Sequence, residues 1–174
     1  TTNGSGNVVD KSYTEILQYR IDTAGYGFDI TTAKQEDLYV PTFREYLEIC
    51  KQYGCKPFIE IKDKREDTIH KVIDMALEYF PAKDIVMSCS SLSALKTSYA
   101  YNKDVFHHLI WGDQSDAGYT NSIGVLSGFT NTAGEIYAGI AFNITNLHVK
   151  ENFDLAKGWI EKANAAGLQT CLRG

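Results

Sequence analysis

Apolar positions fall into two rhythms along this chain. Phe43, Tyr46, Leu47 and Cys50 recur at i, i+3, i+4 and i+7, which predicts a helix over about Phe43 to Tyr53 with one apolar stripe. Thr42 and Glu45 stand at capping-box spacing at its start, and Gly54 supplies its stop. Directly after it, Pro57-Phe58-Ile59-Glu60-Ile61-Lys62 alternates strictly and reads as a strand. The helical period returns in Ile69, Val72, Ile73, Ala76, Leu77 and Phe80, until Pro81 blocks continuation. Asp84–Cys89 is the next strand, and Ser91 caps a helix with Leu92, Leu95 and Tyr99 on one side. Val105–Trp111 is a strand, followed by a Gly/Asn-rich connection of about twenty residues that is expected to be functional or to hold a short helix. Ile136–Phe142 is a fourth strand. Phe153, Ala156, Ile160 and Ala163 mark a further helix, and Leu168–Leu172, introduced by Gly167, is the last strand.

Strand and helix therefore alternate, with five strands. That order implies an α/β fold, a parallel sheet with helices packed outside it. Two closures remain open on periodicity alone: a doubly wound open sheet, or part of a (β/α)8 barrel. No Gly-x-Gly-x-x-Gly follows a strand and no phosphate-binding Gly-Lys-Ser/Thr loop occurs, which removes support from the nucleotide-binding open sheets.

Composition narrows the function more than the fold. The 174 residues are 44% hydrophobic and 12% aromatic, enough for one sizeable core and too apolar for disorder. A net charge of −5 argues against a broad nucleic-acid or acidic-membrane surface. The longest uncharged stretch, Ala117–Gly134, holds eleven Gly, Ser, Thr or Asn among 18 residues, so it reads as loop-like and not as a membrane span. Cys50, Cys55, Cys89 and Cys171 make no Cys-x-x-Cys pair and are read as free, mostly buried thiols. Thr1 opens the chain without a signal-like apolar run, so the start reads as a cut end and the compartment stays unassigned.

Glu60 and Lys62 are the chemically unusual pair. At i and i+2 of a strand they project to one face, while Ile59 and Ile61 point the other way. With helices covering Ile59 and Ile61, the charged pair faces the inside of a barrel near the strand's C-terminal end, where barrel enzymes assemble their sites. A carboxylate there is a hard oxygen ligand suited to magnesium or calcium, and a lysine beside it is a point charge for a phosphate oxygen. The alternative is an edge strand whose polar face meets water, with the two side chains as an ordinary ion pair.

Two segments resemble the glycerophosphodiester phosphodiesterase family. Residues 1–10 (Thr-Thr-Asn-Gly-Ser-Gly-Asn-Val-Val-Asp) are similar to the stretch after that family's second catalytic histidine, and Asp22-Thr23-Ala24-Gly25 to its Asp-x-Gly turn. Val40-Pro41-Thr42-Phe43-Arg44-Glu45 resembles its Pro-Thr-Leu-Glu-Glu helix start, and Phe58-Ile59-Glu60-Ile61-Lys62 its Ile-Glu-Ile-Lys strand. Beyond residue 62 the likeness weakens to the strand–helix rhythm. The resemblance implies a partial TIM-like barrel, with these five strands as the third to seventh of eight, forming one domain that is an internal fragment. It implies metal-dependent hydrolysis of a glycerophosphodiester to glycerol-3-phosphate and an alcohol, with a divalent cation (Mg or Ca) as cofactor. Glu60 then resembles the third metal ligand of the family, and Lys62 its catalytic lysine, which contacts phosphate or orders the metal carboxylates. No His-Arg-Gly, Glu-x-Asp, His-Asp or tryptophan-bearing late-strand motif occurs in the chain, so this stretch alone is expected to be inactive. The partners implied are a small-molecule glycerophosphodiester substrate, with neither nucleic acid nor a stable membrane span.

Other candidates carry less. Adjacent His107 and His108 on one strand must point to opposite faces, and core or surface hydrogen bonding is their ordinary role. His70 and His148 read as solvated. Ser88 and Ser90 flank Cys89 without a Gly-x-Ser-x-Gly elbow, which leaves Ser88 as a substrate-lining hydroxyl at best and Cys89 as core. Trp111, Phe129 and Tyr137 are read as packing or as pocket walls, and Asn143 and Asn146 as donors to a polyol. The rivals are a related lysolipid- or sphingomyelin-type barrel phosphodiesterase and a non-catalytic descendant that binds a ligand or partner.

Overall fold

The computed structural model describes residues 2–21, 34–112, 115–143 and 150–173. Asp22-Thr23-Ala24-Gly25, Asn146 and His148 lie outside these residues. The chain groups into two compact units, Thr1–Tyr46 and Leu47–Gly174. In the first, a short helix α1 (Tyr13–Ile16) starts on a complete capping box between Ser12 and Glu15. Antiparallel bridges join Thr2 to Ile21 and Arg20 to Tyr39. Thr42 and Glu45 form the reciprocal cap expected at the start of α2 (Phe43–Gln52): the Thr42 amide donates to the Glu45 carboxylate at 2.7 Å, and the Glu45 amide to the Thr42 hydroxyl at 3.2 Å. Gly54, at a φ of 66°, ends that helix as read from the sequence.

The second unit is a five-stranded parallel sheet. Its strands are β1 (Phe58–Glu60), β2 (Val86–Cys89), β3 (Phe106–Trp111), β4 (Ala138–Asn143) and β5 (Gln169–Arg173). Helices α3 (Glu66–Leu77), α4 (Leu92–Tyr101), α5 (Asp116–Leu126) and α6 (Lys150–Ala165) fill the four connections. A helix in each crossover returns the chain to the same end of the sheet, which is why every pair is parallel. Spatial order follows chain order from β1 to β5. A doubly wound sheet reverses its order at a switch point, whereas consecutive addition is how a barrel wall grows.

Side-chain alternation divides the sheet into two faces. Ile59, Ile61, Met87, Cys89, Leu109, Ile140 and Phe142 are buried on the helix side. They meet the apolar stripes of the helices: Ile69, Ile73 and Ala76 of α3, Ala94 and Leu95 of α4, and Trp159 and Ala163 of α6. The other face carries Phe58, Glu60, Val86, Ser88, Phe106, His108 and Gly139.

The structure bears out one sequence expectation and corrects two. The Gly/Asn-rich connection holds a helix of its own, one of the two readings offered for it: α5 buries Tyr119, Ser122, Ile123 and Leu126. Ser115 caps α5, its hydroxyl accepting from the Gly118 amide at 3.3 Å. The inward stripe of α6 is Ala156, Trp159 and Ala163, while Phe153 is 56% exposed. The cysteines form no disulfide, as expected, but only Cys50 and Cys89 are buried; Cys55 and Cys171 are exposed.

Candidate functional site

The inner face of the sheet carries the site residues, and its register decides which of them meet. Glu60 pairs with Ser88, Ser88 with His108, and His108 with Gly139, so the four form one row across β1 to β4. Glu60 is the last residue of β1, at the C-terminal end expected for it. Its side chain is 30% exposed and ion-pairs with Lys62. Lys62 lies beyond the strand, and its 80% exposed side chain reaches back to the carboxylate. An ammonium this exposed retains most of its hydration, so the pair itself contributes little to stability. Its significance is positional: a charged couple at the carboxyl end of a parallel sheet.

The turn after β1 is organised by charge as well. Asp63 accepts from both the Arg65 backbone and its guanidinium, and from the Thr68 hydroxyl at 3.1 Å. The Arg65 guanidinium holds the Asp63 carboxyl well below the usual carboxylate range. This turn fixes the path leading from Lys62 into α3.

Ser88 is fully buried, and its hydroxyl lies 3.0 Å from Nδ1 of His108. His108 is 7% exposed, sits edge-on to the Phe58 ring at 5.1 Å, and burial lowers its pKa. The opposite orientation of the two histidines is as expected. His107 faces the helices with Nε2 at 3.1 Å from the Ser98 hydroxyl, its ring edge-on to the stacked pair Tyr99 and Phe129. Its Nδ1 is buried with no hydrogen-bond partner among the described residues. Sequence reasoning had no means to pair Ser88 with His108, because that needs the β2–β3 register.

Below the row, toward the N-terminal ends of the strands, the inner face opens into a cleft of about 290 Å³. Phe58, Val86, Phe106 and Tyr137 wall it, His108 reaches into it, and Lys56 and Lys83 stand beside it. Lys56 is paired with Asp84 at 2.8 Å. The Tyr137 hydroxyl donates to the Lys83 carbonyl at 2.5 Å.

The remaining candidates separate plainly. Of the three aromatic residues, Tyr137 alone borders this cleft. Trp111 packs on Tyr119 at 6.1 Å and Phe129 stacks on Tyr99 at 4.3 Å, both in the helix-side core. His70 is not simply solvated: half-buried, it stacks on Tyr101 at 3.8 Å. Cys89 is core, its thiol on the Ile61 carbonyl at 3.3 Å, and Ser90 is exposed. Asn143 pairs in the backbone with Arg173 at the end of β4.

Glu60 offers the hard oxygen that a magnesium or calcium ion takes, but one carboxylate fills one position of six or more. Among the described residues no group of three or more His, Cys, Asp or Glu side chains comes together to hold a metal. By themselves they do not complete a divalent-cation site.

No family model matches the chain, and no curated protein matches it. Among solved structures it is similar to a glycerophosphodiester phosphodiesterase from Agrobacterium tumefaciens, with a TM-score of 0.61 and 19% sequence identity. The match covers 99% of this chain and 62% of that one. The likeness is one of fold: this chain follows a barrel-type α/β architecture over less than two thirds of the neighbour's length. No helix among the described residues is long and apolar enough to cross a membrane.

Proposed function

We propose that this chain forms part of a phosphodiesterase barrel acting on a glycerophosphodiester, releasing glycerol-3-phosphate and an alcohol. The observation that carries the reading is the Glu60–Lys62 pair at the carboxyl end of β1, on a sheet whose strands add in barrel order. The fold neighbour is an enzyme of that class, and the segments around Thr42 and Glu60 resemble the same family.

In this reading Lys62 contacts a non-bridging phosphoryl oxygen and offsets the charge that develops there as the ester bond breaks. Glu60 holds the ammonium in place. It is also one oxygen ligand of a divalent cation, magnesium or calcium, whose further ligands are not among the described residues. The cation would polarise the phosphoryl group when bound. Ser88 supports this region from the neighbouring strand. The acid and base that move protons in the reaction are not assigned to any described residue.

Release of glycerol-3-phosphate from glycerophosphocholine by the whole barrel that contains this stretch, followed by a coupled assay with magnesium or calcium, tests the proposal. Glu60→Ala and Lys62→Ala are each expected to remove at least 100-fold of the turnover, the scale of a lost electrostatic contact in the transition state. Turnover unchanged in both variants would refute it. The second reading, a non-catalytic wall that binds a ligand or partner, is favoured by the absence of a three-ligand metal cluster among the described residues. No turnover in the whole wild-type barrel that contains this stretch, together with intact binding of a phosphate ester, would select it.

A further inference from the structure

Five charged side chains crowd the turn that leaves β1: Glu60, Lys62, Asp63, Lys64 and Arg65. They sort into two pairs and a remainder. Lys62 pairs with Glu60, and Arg65 with Asp63. Lys64 is exposed and has no partner among the described residues. The second pair is the more complete. One Asp63 oxygen accepts from the Arg65 amide at 3.1 Å and from Nε at 3.0 Å; the other accepts from Nη2 and from the Thr68 hydroxyl at 3.1 Å. Glu60, by contrast, meets Lys62 through Oε1 alone, and its Oε2 has no hydrogen-bond partner among the described residues. An arginine fork takes a carboxylate through two parallel N–H bonds, where a lysine offers a single point charge. Released within the same turn, the Arg65 guanidinium would therefore compete with Lys62 for Glu60 and close off its open oxygen.

We propose that the Asp63–Arg65 pair is a charge guard for this end of the sheet: Asp63 is a positioning residue that withholds the Arg65 guanidinium, so that Lys62 is the cation on Glu60 and the second carboxylate oxygen stays open to a ligand. That this ligand is a divalent cation rests on the reading in the preceding subsection. The sorting of the charges does not, since it follows from the hydrogen bonds of the turn. The guard works in both directions. Without Arg65, the bare Asp63 carboxylate draws on Lys62 from the adjacent position. Loss of either half therefore disturbs the Glu60–Lys62 pair, whereas loss of both leaves it as it was. A carboxylate that merely closed the turn would behave in the opposite way, because removing both partners would open the turn further.

Carbon-13 NMR of the Glu60 side-chain carboxyl, in the whole barrel that contains this stretch, tests the guard; the signal is assigned by its loss in Glu60→Gln. Asp63→Asn and Arg65→Gln are each expected to move it, and the double variant to return it to the wild-type position. Asp63→Asn keeps an oxygen for the Arg65 amide, so the turn stays closed. Lys64→Gln removes a cation that neither pair uses and should leave the signal in place. Sodium chloride at about 0.5 M should shrink the single-variant shifts, since exposed charges are screened. In the coupled assay, Asp63→Asn should raise the magnesium concentration for half-maximal turnover about two- to fivefold, the scale of one exposed ion pair, and the double variant should restore it. A Glu60 signal unmoved in Asp63→Asn, as when the freed guanidinium turns to Asp67, would overturn the proposal. So would a double variant more perturbed than either single one, or equal sensitivity to Lys64→Gln. Compensation at Glu60 in a barrel without hydrolytic activity leaves the guard standing and removes the enzyme assignment; an active enzyme whose Glu60 signal ignores both substitutions does the reverse.

Discussion

Trp159→Ala is expected to destabilise the sheet unit by about 3–5 kcal/mol, the range for truncating a fully buried tryptophan. Trp159 joins three elements. Its ring stacks on Tyr119 of α5 at 4.6 Å and stands edge-on to Phe142 of β4 at 5.9 Å. Its indole N–H donates to Asp116 at 3.2 Å, and its main-chain carbonyl accepts from the Tyr119 hydroxyl at 2.8 Å. Asp116 is held in turn by Lys162 at 2.6 Å. Truncation leaves a cavity between α5, α6 and β4, and also strands the Asp116 carboxylate with one donor fewer. Urea denaturation measures the loss. Trp159→Phe, which keeps a ring against Tyr119 and Phe142 but loses the N–H, should recover more than half. A change under 1 kcal/mol in Trp159→Ala would mean that this aromatic cluster is not the core of the α5–α6 side.

The second large effect is acid sensitivity from His107. This imidazole has no exposed surface, stands edge-on to the stacked rings of Tyr99 and Phe129, and has one nitrogen without a partner among the described residues. Burial therefore lowers its pKa to about 4, against about 6.5 for the free side chain. The unfolded chain binds the proton more readily than the folded one, so stability rises with pH across this window. The penalty begins as pH falls through about 6.5 and is complete below about 4. At about 1.4 kcal/mol per unit, the difference comes to roughly 3 kcal/mol. His108, also lowered by burial, adds in the same direction. Unfolding free energies measured between pH 4 and 8 should show this slope. His107→Gln, which keeps a polar contact for Ser98 but cannot take the proton, should flatten most of it. A slope unchanged by that substitution would place the titrating group elsewhere.

Much of the architecture was legible because each element satisfies its own period. Ile59 and Ile61 alternate with Glu60, and Ile69, Ile73 and Ala76 keep to a helical face. A helix in the connection after β3 was one of two readings, and composition blurred the bounds of α5. Gly118, Thr120, Asn121 and Gly124 are weak helix formers, so the segment resembled a loop. Its signal was nonetheless present, since Tyr119, Ile123 and Leu126 recur at i, i+4 and i+7. In α6 the apolar residues are spread around the helix, so sequence favoured Phe153 over Trp159. Packing turns Trp159 inward because Tyr119 and Phe142 form a slot that a flat indole fills.

The site was legible in part. Alternation placed Glu60 on the face away from the helices, and its ion pair with Lys62 follows from their spacing. That Lys62 lies past the strand end, and that Ser88 closes on His108, depend on where β1 stops and how β2 and β3 align. Neither is encoded in any local window, because strand register is set by packing across the whole sheet.

Manganese titration of the 174-residue chain, followed by paramagnetic line broadening in backbone amide spectra, tests most directly whether the carboxyl end of β1 is the cation- and phosphate-binding end. Weak binding is expected from a single carboxylate, with broadening centred on Glu60 and its strand neighbours Ile61 and Ser88, enhanced by glycerol-3-phosphate and abolished in Glu60→Gln. Broadening centred on another carboxylate such as Asp116 or Asp104, unaffected by that substitution, would contradict the account.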